Sequence, residues 1–164
     1  MPPPRPDQPG PNQESVWDYP RPARAEATSR HLLVRLGDHT VAETRRSVRA
    51  LETSHPPSYY FPADDVDPAA LLPVVHKTWC EWKGQATYYD VVAGGRRAVR
   101  GAWTYKSPTP DFQIIAGHIA FDPRALACFV DGELARPQDG EFYSGWITSH
   151  VAGPFKGGPG TAGW

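Results

Sequence analysis

Hydrophobic and polar residues alternate with a period of two over much of the chain, which is the pattern of half-buried β-strands. "HLLVRL" (31–36) and "HTVAET" (39–44) flank Gly37–Asp38, a pair suited to a tight turn, and together predict a β-hairpin. Further strands are predicted at 47–52, 77–82, 85–93, 96–106, 116–121 and 127–136, with Asp131–Gly132 as a turn inside the last. The pattern therefore predicts a mainly β protein with antiparallel sheets.

A single short helix interrupts this pattern. Asp67 is a suitable N-cap and Pro68 suits the first helical position, so "DVDPAALL" predicts a helix of about two turns. Strands never alternate with long helices, which argues against a doubly wound α/β fold.

The two ends of the chain differ from the part between them. Residues 1–13 are rich in proline and poor in apolar side chains, and we expect a disordered tail there. Residues 14–136 form the predicted folded domain. Residues 137–164 form a glycine-rich C-terminal extension, for which Phe155 and Trp164 are candidate apolar anchors.

The stretch "HKTWCEWKGQATYY" (76–89) concentrates large aromatic residues. A two-residue turn at Lys83–Gly84 would place Trp79 opposite Tyr88, and a second turn at Gly94–Gly95 would place Tyr88 opposite Gly101 and Ala86 opposite Trp103. Alternation then gathers one group of side chains on one sheet face. This group comprises Trp79, Glu81, Ala86, Tyr88, Asp90, Val99, Gly101, Trp103 and Tyr105. Rings around two small residues are typical of a ligand pocket and equally of a packed β-core, so both interpretations stay open.

Charge and composition limit the partners and the cellular location that we expect. The 17 basic and 18 acidic side chains give a net charge of −1, so nothing favours nucleic acid or an anionic membrane as a partner. No apolar run approaches the roughly 18 residues of a membrane span. The N-terminus lacks the hydrophobic region of a secretory signal, and two cysteines do not make a disulfide scaffold. We therefore expect a cytoplasmic protein with reduced thiols.

The spacing of the residues gives little support for a metal site or for nucleotidyl transfer. The candidate zinc ligands lack the two close pairs that a structural site uses; they are His76, Cys80, His118 and Cys128. No glycine-rich phosphate loop is present. Three acids could hold magnesium for nucleotidyl transfer, but acids before a helix more often cap it; they are Asp64, Asp65 and Asp67. No metal and no cofactor is predicted.

Four residues are candidates for catalysis. Cys80 or Lys83 could act as a nucleophile if its pKa were depressed, and burial would lower the pKa of a lysine. Glu52, at the end of an apolar run, and Glu81 could transfer protons. For each of them a capping, salt-bridging or solvent-exposed role is the alternative.

Several segments together resemble the bacterial "domain of unknown function 427" family, which is also labelled nucleotidyltransferase-like. They are "ESVWDYPRP", "LETSHPPSYYFPADDV", "CEWKGQATYYDV", "GAWTYKSPTP", "IAGHIAFD" and "VDGE", spanning 14–133. The resemblance implies a single-domain β-tent, in which two antiparallel sheets meet at an angle. Relatives of that fold commonly carry zinc on paired cysteines, which this chain lacks.

The leading hypothesis is a protein that binds a small organic ligand in an aromatic-lined cleft between the sheets. The expected ligand-binding residues are Tyr60, Trp79, Trp82, Tyr88, Trp103 and Tyr105. One alternative is a small-molecule enzyme that uses Glu52 and Lys83 for acid–base hydrolysis or cyclisation. The others are a nucleotidyltransferase, as the family label suggests, and a protein-interaction module. The sequence leaves open whether any reaction is catalysed, as well as the oligomeric state.

Overall fold

A computed structural model describes residues 4–164. Within that range the strands β1 to β15 are, in chain order, Glu14–Ser15, Arg24–Thr28, Leu32–Leu36, His39–Thr44, Ser47–Leu51, Ser58–Phe61, Leu71–Cys80, Gly84–Ala93, Arg96–Thr104, Ile119–Phe121, Ala127–Val130, Glu133–Leu134, Arg136–Pro137, Trp146–Ile147 and Val151–Ala152. Short 3₁₀ helices lie at Val16–Asp18, Ala63–Asp65, Pro68–Ala70 and Pro110–Ile115. None of the helices in the described part of the chain has the length and apolar character that a membrane crossing requires.

Two antiparallel sheets dominate the fold. One has seven strands in the order β2-β5-β6-β10-β9-β8-β7, and the other has four in the order β12-β11-β3-β4. Two short pairs, β1 with β15 and β13 with β14, complete the strand pairing. The prediction of a mainly β fold built on antiparallel sheets is confirmed.

The main hydrophobic core includes residues from both sheets. Val34 and Val130 of the four-stranded sheet belong to the same buried cluster as Phe61, Ala102 and Phe121 of the seven-stranded sheet. The rings of Phe61 and Phe121 meet edge to face, with centroids 5.2 Å apart. These residues are the inward half of the alternation seen in the sequence.

A second buried cluster lies on the opposite face of the seven-stranded sheet. Tyr60 belongs to it, whereas its neighbours Tyr59 and Phe61 belong to the main core, because successive side chains of a strand point to opposite faces. The 3₁₀ helix Pro110–Ile115 covers this face by inserting Phe112 and Ile115. The seven-stranded sheet is therefore buried on both sides over its central strands.

The helix after Asp67 is shorter than the two turns that were predicted. Asp67 does cap it, accepting a hydrogen bond from the amide of Ala69 at 3.0 Å, but the helix ends after Ala70. The next residues begin β7, which is therefore longer than the predicted strand 77–82. An irregularity between Val74 and Lys77 hides the period of two there, so the alternation failed to indicate the start of the strand.

The segment after β12 packs on the domain. Trp146 is fully buried in the main core and donates its indole N–H to the carbonyl oxygen of Phe121 at 3.2 Å. Trp164 contacts Trp17, with ring centroids 5.6 Å apart. The division into tail, domain and extension stays a prediction, and residues 1–3 of the tail lie outside the described residues.

Candidate functional site

The connection between β7 and β8 is held in place by Thr109. Cys80 pairs with Gly84, so three residues, 81–83, form the connection. The amide of Thr109 donates to the carbonyl oxygen of Lys83 at 3.0 Å, and its hydroxyl donates to the carbonyl oxygen of Trp82 at 2.5 Å. These two bonds fix the direction in which Lys83 leaves the sheet.

This geometry corrects the expected two-residue turn at Lys83–Gly84. Because the connection has three residues, Trp79 pairs with Gln85 instead of lying opposite Tyr88. Trp79 therefore points to the other face of the sheet, where 74 % of its surface is exposed. Cys80 and Trp82 take its place and pack against the second buried cluster.

The β8–β9 hairpin turns at Gly94–Gly95 as predicted, with Ala93 opposite Arg96. A bulge between Tyr89 and Val91 then shifts the register, so that Trp103 faces Tyr88. The predicted pairs Ala86–Trp103 and Tyr88–Gly101 are therefore wrong. The shift spans two residues, which preserves the faces: Ala86, Tyr88 and Trp103 still share one side.

Asp90 lies in this bulge and is buried. Its carboxylate accepts hydrogen bonds from the amide of Arg100 and from Nε of Arg97, both at 2.7 Å. The backbone amide of Arg100 and the guanidinium of Arg97 lower the pKa of Asp90. Asp90 therefore supports the bulge, although the sequence had grouped it with the residues of a possible pocket.

Gly101 does not form the floor beneath the aromatic rings. A Cβ atom at this position would lie 2.9 Å from Cβ of Ala98 and 3.2 Å from Cδ1 of Leu126, both of which belong to the main core. Its lack of a side chain therefore serves close packing on the opposite face.

We call the second buried cluster around Lys83 the aromatic site. Its buried members include Tyr60, Ala86, Tyr105 and Phe112, and its half-buried members include Cys80, Trp82, Tyr88 and Trp103. The rings of Tyr60 and Tyr105 lie 6.2 Å apart, and those of Tyr88 and Trp103 lie 6.3 Å apart. The half-buried rings leave part of the site accessible from solvent.

Lys83 points into the aromatic site. Its Nζ atom lies 6.0 Å from the ring centroids of both Tyr105 and Phe112, a distance at which a cation interacts with an aromatic face. Burial opposes the charged form, but Tyr60, Cys80 and Glu52 outweigh it, and the pKa of Lys83 is raised. The sequence analysis made a lowered pKa the condition for Lys83 to act as a nucleophile, and the surroundings of Lys83 shift its pKa in the opposite direction.

Glu52 and His55 are near enough to Lys83 for electrostatic interaction with it. Glu52 follows β5 and continues the alternation of Val48 and Ala50, which face the aromatic site. Oε2 of Glu52 is 3.6 Å from Nε2 of His55 and 3.7 Å from a guanidinium nitrogen of Arg21. Both distances exceed a normal hydrogen bond.

Gln138 determines which nitrogen of His55 carries the proton. The side-chain amide of Gln138 donates to the carbonyl oxygen of Lys156 at 2.6 Å and accepts from the amide of Gly145 at 3.2 Å, so its orientation is fixed. Its NH₂ group lies 3.0 Å from Nδ1 of His55 and must donate to it. The proton of the neutral imidazole is therefore on Nε2, which faces Glu52.

His55 is neutral at physiological pH. Burial, together with the positive charges of Lys156, Arg21 and Lys83, lowers the pKa of His55 to about 4. The sequence analysis missed this residue, although it lies in the quoted "LETSHPPSYY" segment with Glu52. Gln138, 83 positions further along the chain, carried no sequence signal for its contact with His55.

Several sequence segments, among them "CEWKGQATYYDV", resemble one family, and a comparison with family models agrees. The family described as Domain of unknown function (DUF427) matches residues 24–135. The chain belongs to this family. A search among curated proteins found no match. The matched region of this DUF427 protein contains Glu52, His55 and Lys83, whereas Arg21, Gln138 and Lys156 lie outside it.

The remaining candidate residues lie away from the aromatic site or are engaged elsewhere. Glu81 is exposed in the connection after β7. Asp65 accepts from Thr44 at 2.6 Å and from Arg46 at 3.0 Å, and Asp67 pairs with His39 at 2.9 Å. Asp65 and Asp67 therefore already have protein partners.

The two cysteines of this DUF427 protein belong to different clusters. Cys128 is in the main core, whereas Cys80 borders the aromatic site, so they do not form the paired ligands of a structural zinc. Burial raises the pKa of the Cys128 thiol. Across residues 4–164, no three His, Cys, Asp or Glu side chains come together in a way that could hold a metal ion.

Two open cavities lie at the outer side of β2 and β5, with volumes of about 490 and 380 Å³. Glu14 and Arg49 line both of them. Arg49 is bound by two carboxylates, at 2.6 Å from Glu14 and 2.8 Å from Glu26. Neither cavity is lined by a residue of the aromatic site, and the charges of Arg49 are already paired.

Proposed function

We propose that the aromatic site binds a small planar organic ligand that carries an anionic or carbonyl oxygen. The observation that supports this function best is the position of Lys83, whose Nζ atom lies over the rings of Tyr105 and Phe112. A lysine in a connection ordinarily extends into water. Here Thr109 holds the connection so that the ammonium group enters an aromatic environment.

The electrostatics of the site favour a ligand oxygen. Burial is the main reason why the pKa of the Tyr105 hydroxyl is raised, so this hydroxyl keeps its proton and can donate a hydrogen bond. The raised pKa of Lys83 keeps the ammonium charged. A carboxylate or carbonyl oxygen placed between these donors would receive a charge-assisted hydrogen bond, which contributes about 1.5–3 kcal/mol.

The half-buried rings supply the remaining affinity. Each aromatic pair contributes about 0.5–1.5 kcal/mol beyond the burial of its surface. Micromolar binding requires about 8 kcal/mol. A planar ligand must therefore contact several of the rings at the same time as Lys83. The half-buried rings of Trp82, Tyr88 and Trp103, which pack against the same cluster, are the ones proposed to do so.

Calorimetric titration with aryl carboxylates and aryl 2-oxo acids tests the proposal. The variant Lys83→Met keeps the length of the side chain and removes the charge. We expect at least one compound to bind the unmodified protein, and Lys83→Met to bind it at least tenfold more weakly. Lys106→Met removes a charge from an exposed position and should bind as the unmodified protein does. Equal affinity of the Lys83 and Lys106 variants, or binding by none of the compounds, would refute the proposal.

A second candidate function is enzymatic, and a specific contact favours it. Glu52 and His55 face each other at 3.6 Å beside Lys83, which places a carboxylate, a neutral imidazole and an ammonium group around one site. Nucleotidyl transfer lacks a comparable observation, because Asp65 and Asp67 make structural contacts. Stabilisation of the protein by a nucleotide with magnesium, and by no other compound, would place nucleotidyl transfer ahead of these two functions.

A further inference from the structure

We propose that the site catalyses proton transfer at a carbon atom next to a carbonyl group, with Glu52 as the base and with His55 and Lys83 as donors to the carbonyl oxygen. This inference rests on the proposed function, since it requires that the aromatic site binds a ligand with such an oxygen. It adds the class of reaction and two roles, those of His55 and Gln138.

The reaction needs no oxidant, metal or second substrate. The carboxylate of Glu52 takes a proton from the carbon next to the carbonyl. The electron pair of the broken C–H bond forms a C=C bond, and the π pair of the carbonyl moves to its oxygen. Nε2–H of His55 and the ammonium of Lys83 hydrogen-bond to the resulting enolate oxygen. Return of a proton from Glu52 to carbon completes the exchange, and in an isomerisation the proton returns to a different carbon.

The carboxylate of Glu52 is available as a base. Among residues 4–164 it makes no hydrogen bond, and its two ion pairs, to Arg21 and His55, are longer than 3.5 Å. About a quarter of its side chain is exposed (26 %), so a ligand can reach it. An acid that only capped a strand or stabilised the loop would be expected to form closer contacts than these.

His55 is fixed as a donor toward Glu52. The amide of Gln138 occupies Nδ1 at 3.0 Å, which leaves the proton on Nε2. The 3.6 Å gap between Nε2 and Oε2 of Glu52 is too long for a good hydrogen bond between them. Both groups can therefore contact one ligand. A neutral imidazole is a suitable donor here, because its N–H polarises a carbonyl without giving up a proton to the carboxylate beside it.

The backbone between the two residues is strained. Ser54 has a φ of 72°, in the left-handed region that residues other than glycine rarely adopt, and it is fully buried. Its amide donates to the carbonyl oxygen of Val16 at 3.0 Å, and its carbonyl oxygen accepts from the amide of Lys156 at 2.9 Å. Such strain persists where the surroundings hold it, often at functional sites. Ser54 lies between Glu52 and His55, whose side chains approach each other to 3.6 Å.

Hydrogen–deuterium exchange of a bound probe tests the inference. The probe is 4-phenyl-2-oxobutanoate, which has an aryl ring, a carbonyl oxygen and exchangeable protons at C3. Proton NMR in D₂O follows loss of the C3 signal. We expect the protein to accelerate exchange over buffer, and Glu52→Gln to reduce that acceleration at least 100-fold while probe affinity changes less than threefold. Glu141→Gln, at an exposed position, should exchange as the unmodified protein does.

The possible failures have different meanings. A probe that binds without accelerated exchange, or an unchanged rate in Glu52→Gln, would overturn proton transfer and leave the proposed binding function intact. If an aryl carboxylate binds but no aryl 2-oxo acid does, proton transfer is overturned and the proposed binding function stands. If neither class of compound binds, both proposals are wrong. Circular dichroism of each variant establishes that the fold is retained.

Gln138 acts through His55 and is a positioning residue. In Gln138→Met we expect the ¹⁵N NMR signals of His55 to show both tautomers, and the exchange rate at saturating probe to fall about tenfold with little change in KM. Observation of the Nδ1–H tautomer in the unmodified protein would overturn the role given to His55, whatever the exchange rate.

Discussion

Tyr88 lies directly opposite Trp103 across β8 and β9, with ring centroids 6.3 Å apart and ring planes inclined by 38°. The bulge at Asp90 produces this pairing, because it shifts the two strands by two residues relative to the hairpin turn. The relationship places two half-buried rings side by side at the accessible part of the aromatic site.

Trp79 and Trp103 should respond in opposite ways to truncation. Trp103 packs against the aromatic site, so Trp103→Ala should lower the free energy of unfolding by about 2 kcal/mol and weaken ligand binding. Trp79 is 74 % exposed on the other face, so Trp79→Ala should change stability by less than about 0.5 kcal/mol. Urea denaturation measures both. A loss of ligand binding in Trp79→Ala would show that Trp79 contributes to binding, as the sequence predicted.

Replacement of Asp90 should destabilise the bulge. Asp90→Asn removes the charge from hydrogen bonds to Arg97 and Arg100, and we expect a loss of about 2 kcal/mol in the free energy of unfolding at pH 7. The pKa of Asp90 is lowered in the folded state, so its contribution is complete above the unfolded-state pKa of about 3.9 and is lost as the pH falls through the lower folded-state value.

The control for this experiment is Asp38→Asn, which changes an exposed carboxylate in the turn after β3. Its stability should match that of the unmodified protein at both pH 7 and pH 3. A difference between Asp90→Asn and the unmodified protein that stayed constant from pH 7 to pH 2 would show that the charge of Asp90 is unimportant.

His55 should make the protein less stable in mild acid. Its pKa falls from 6.5 to about 4 on folding, so the unfolded chain binds a proton more readily. The contribution of His55 to the free energy of unfolding is fully present above pH 6.5. It declines as the pH falls toward 4, by up to about 3 kcal/mol. Denaturation at a series of pH values should show this decline, and His55→Gln should remove it.

A matched histidine distinguishes this effect from general acid sensitivity. His39 is exposed and pairs with Asp67. His39→Gln should retain the decline between pH 6.5 and 4. A chemical-shift titration in which the His55 ring becomes charged near pH 6.5 would contradict the lowered pKa of His55 directly.

Addition of one methyl group at Gly101 should be costly. In Gly101→Ala the new Cβ atom would meet Cβ of Ala98 at 2.9 Å and the carbonyl oxygen of Ala98 at 3.2 Å. Relief of this contact requires movement of β9 in the main core, which costs about 1–3 kcal/mol. Gly163→Ala, where nothing lies within 4 Å, is the control. Thermal unfolding compares the two, and equal midpoints would show that β9 adjusts freely.

The sequence predicted the strands well where alternation was regular. The 31–44 hairpin and the Gly94–Gly95 turn appear where they were expected, because turn residues and period-two patterns are local signals. The face of Trp79 was assigned wrongly because the length of the connection after Cys80 depends on Thr109, which lies 27 positions beyond Trp82. Such a hydrogen bond leaves no trace in the local pattern.

The same distinction holds for the site. Lys83 and Tyr88 were recognisable because they lie in the aromatic-rich stretch 76–89, and Trp103 because the Gly94–Gly95 turn predicts its strand beside that stretch. The importance of His55 was not recognisable, since it depends on Gln138 and on the buried, strained loop around Ser54. Sequence patterns indicate which side chains share a sheet face, whereas the protonation state of a side chain depends on contacts made by remote segments.

The fixed amide of Gln138 has a consequence for how the aromatic site could differ among proteins that share this domain. Gln138 lies just beyond the matched region, which ends at residue 135. A homologue with a different segment at that point could keep the carboxylate, the imidazole and the lysine while its histidine rotated or exchanged tautomers freely. The protonation pattern of the site would then change by replacement of a peripheral segment, with the matched domain left intact.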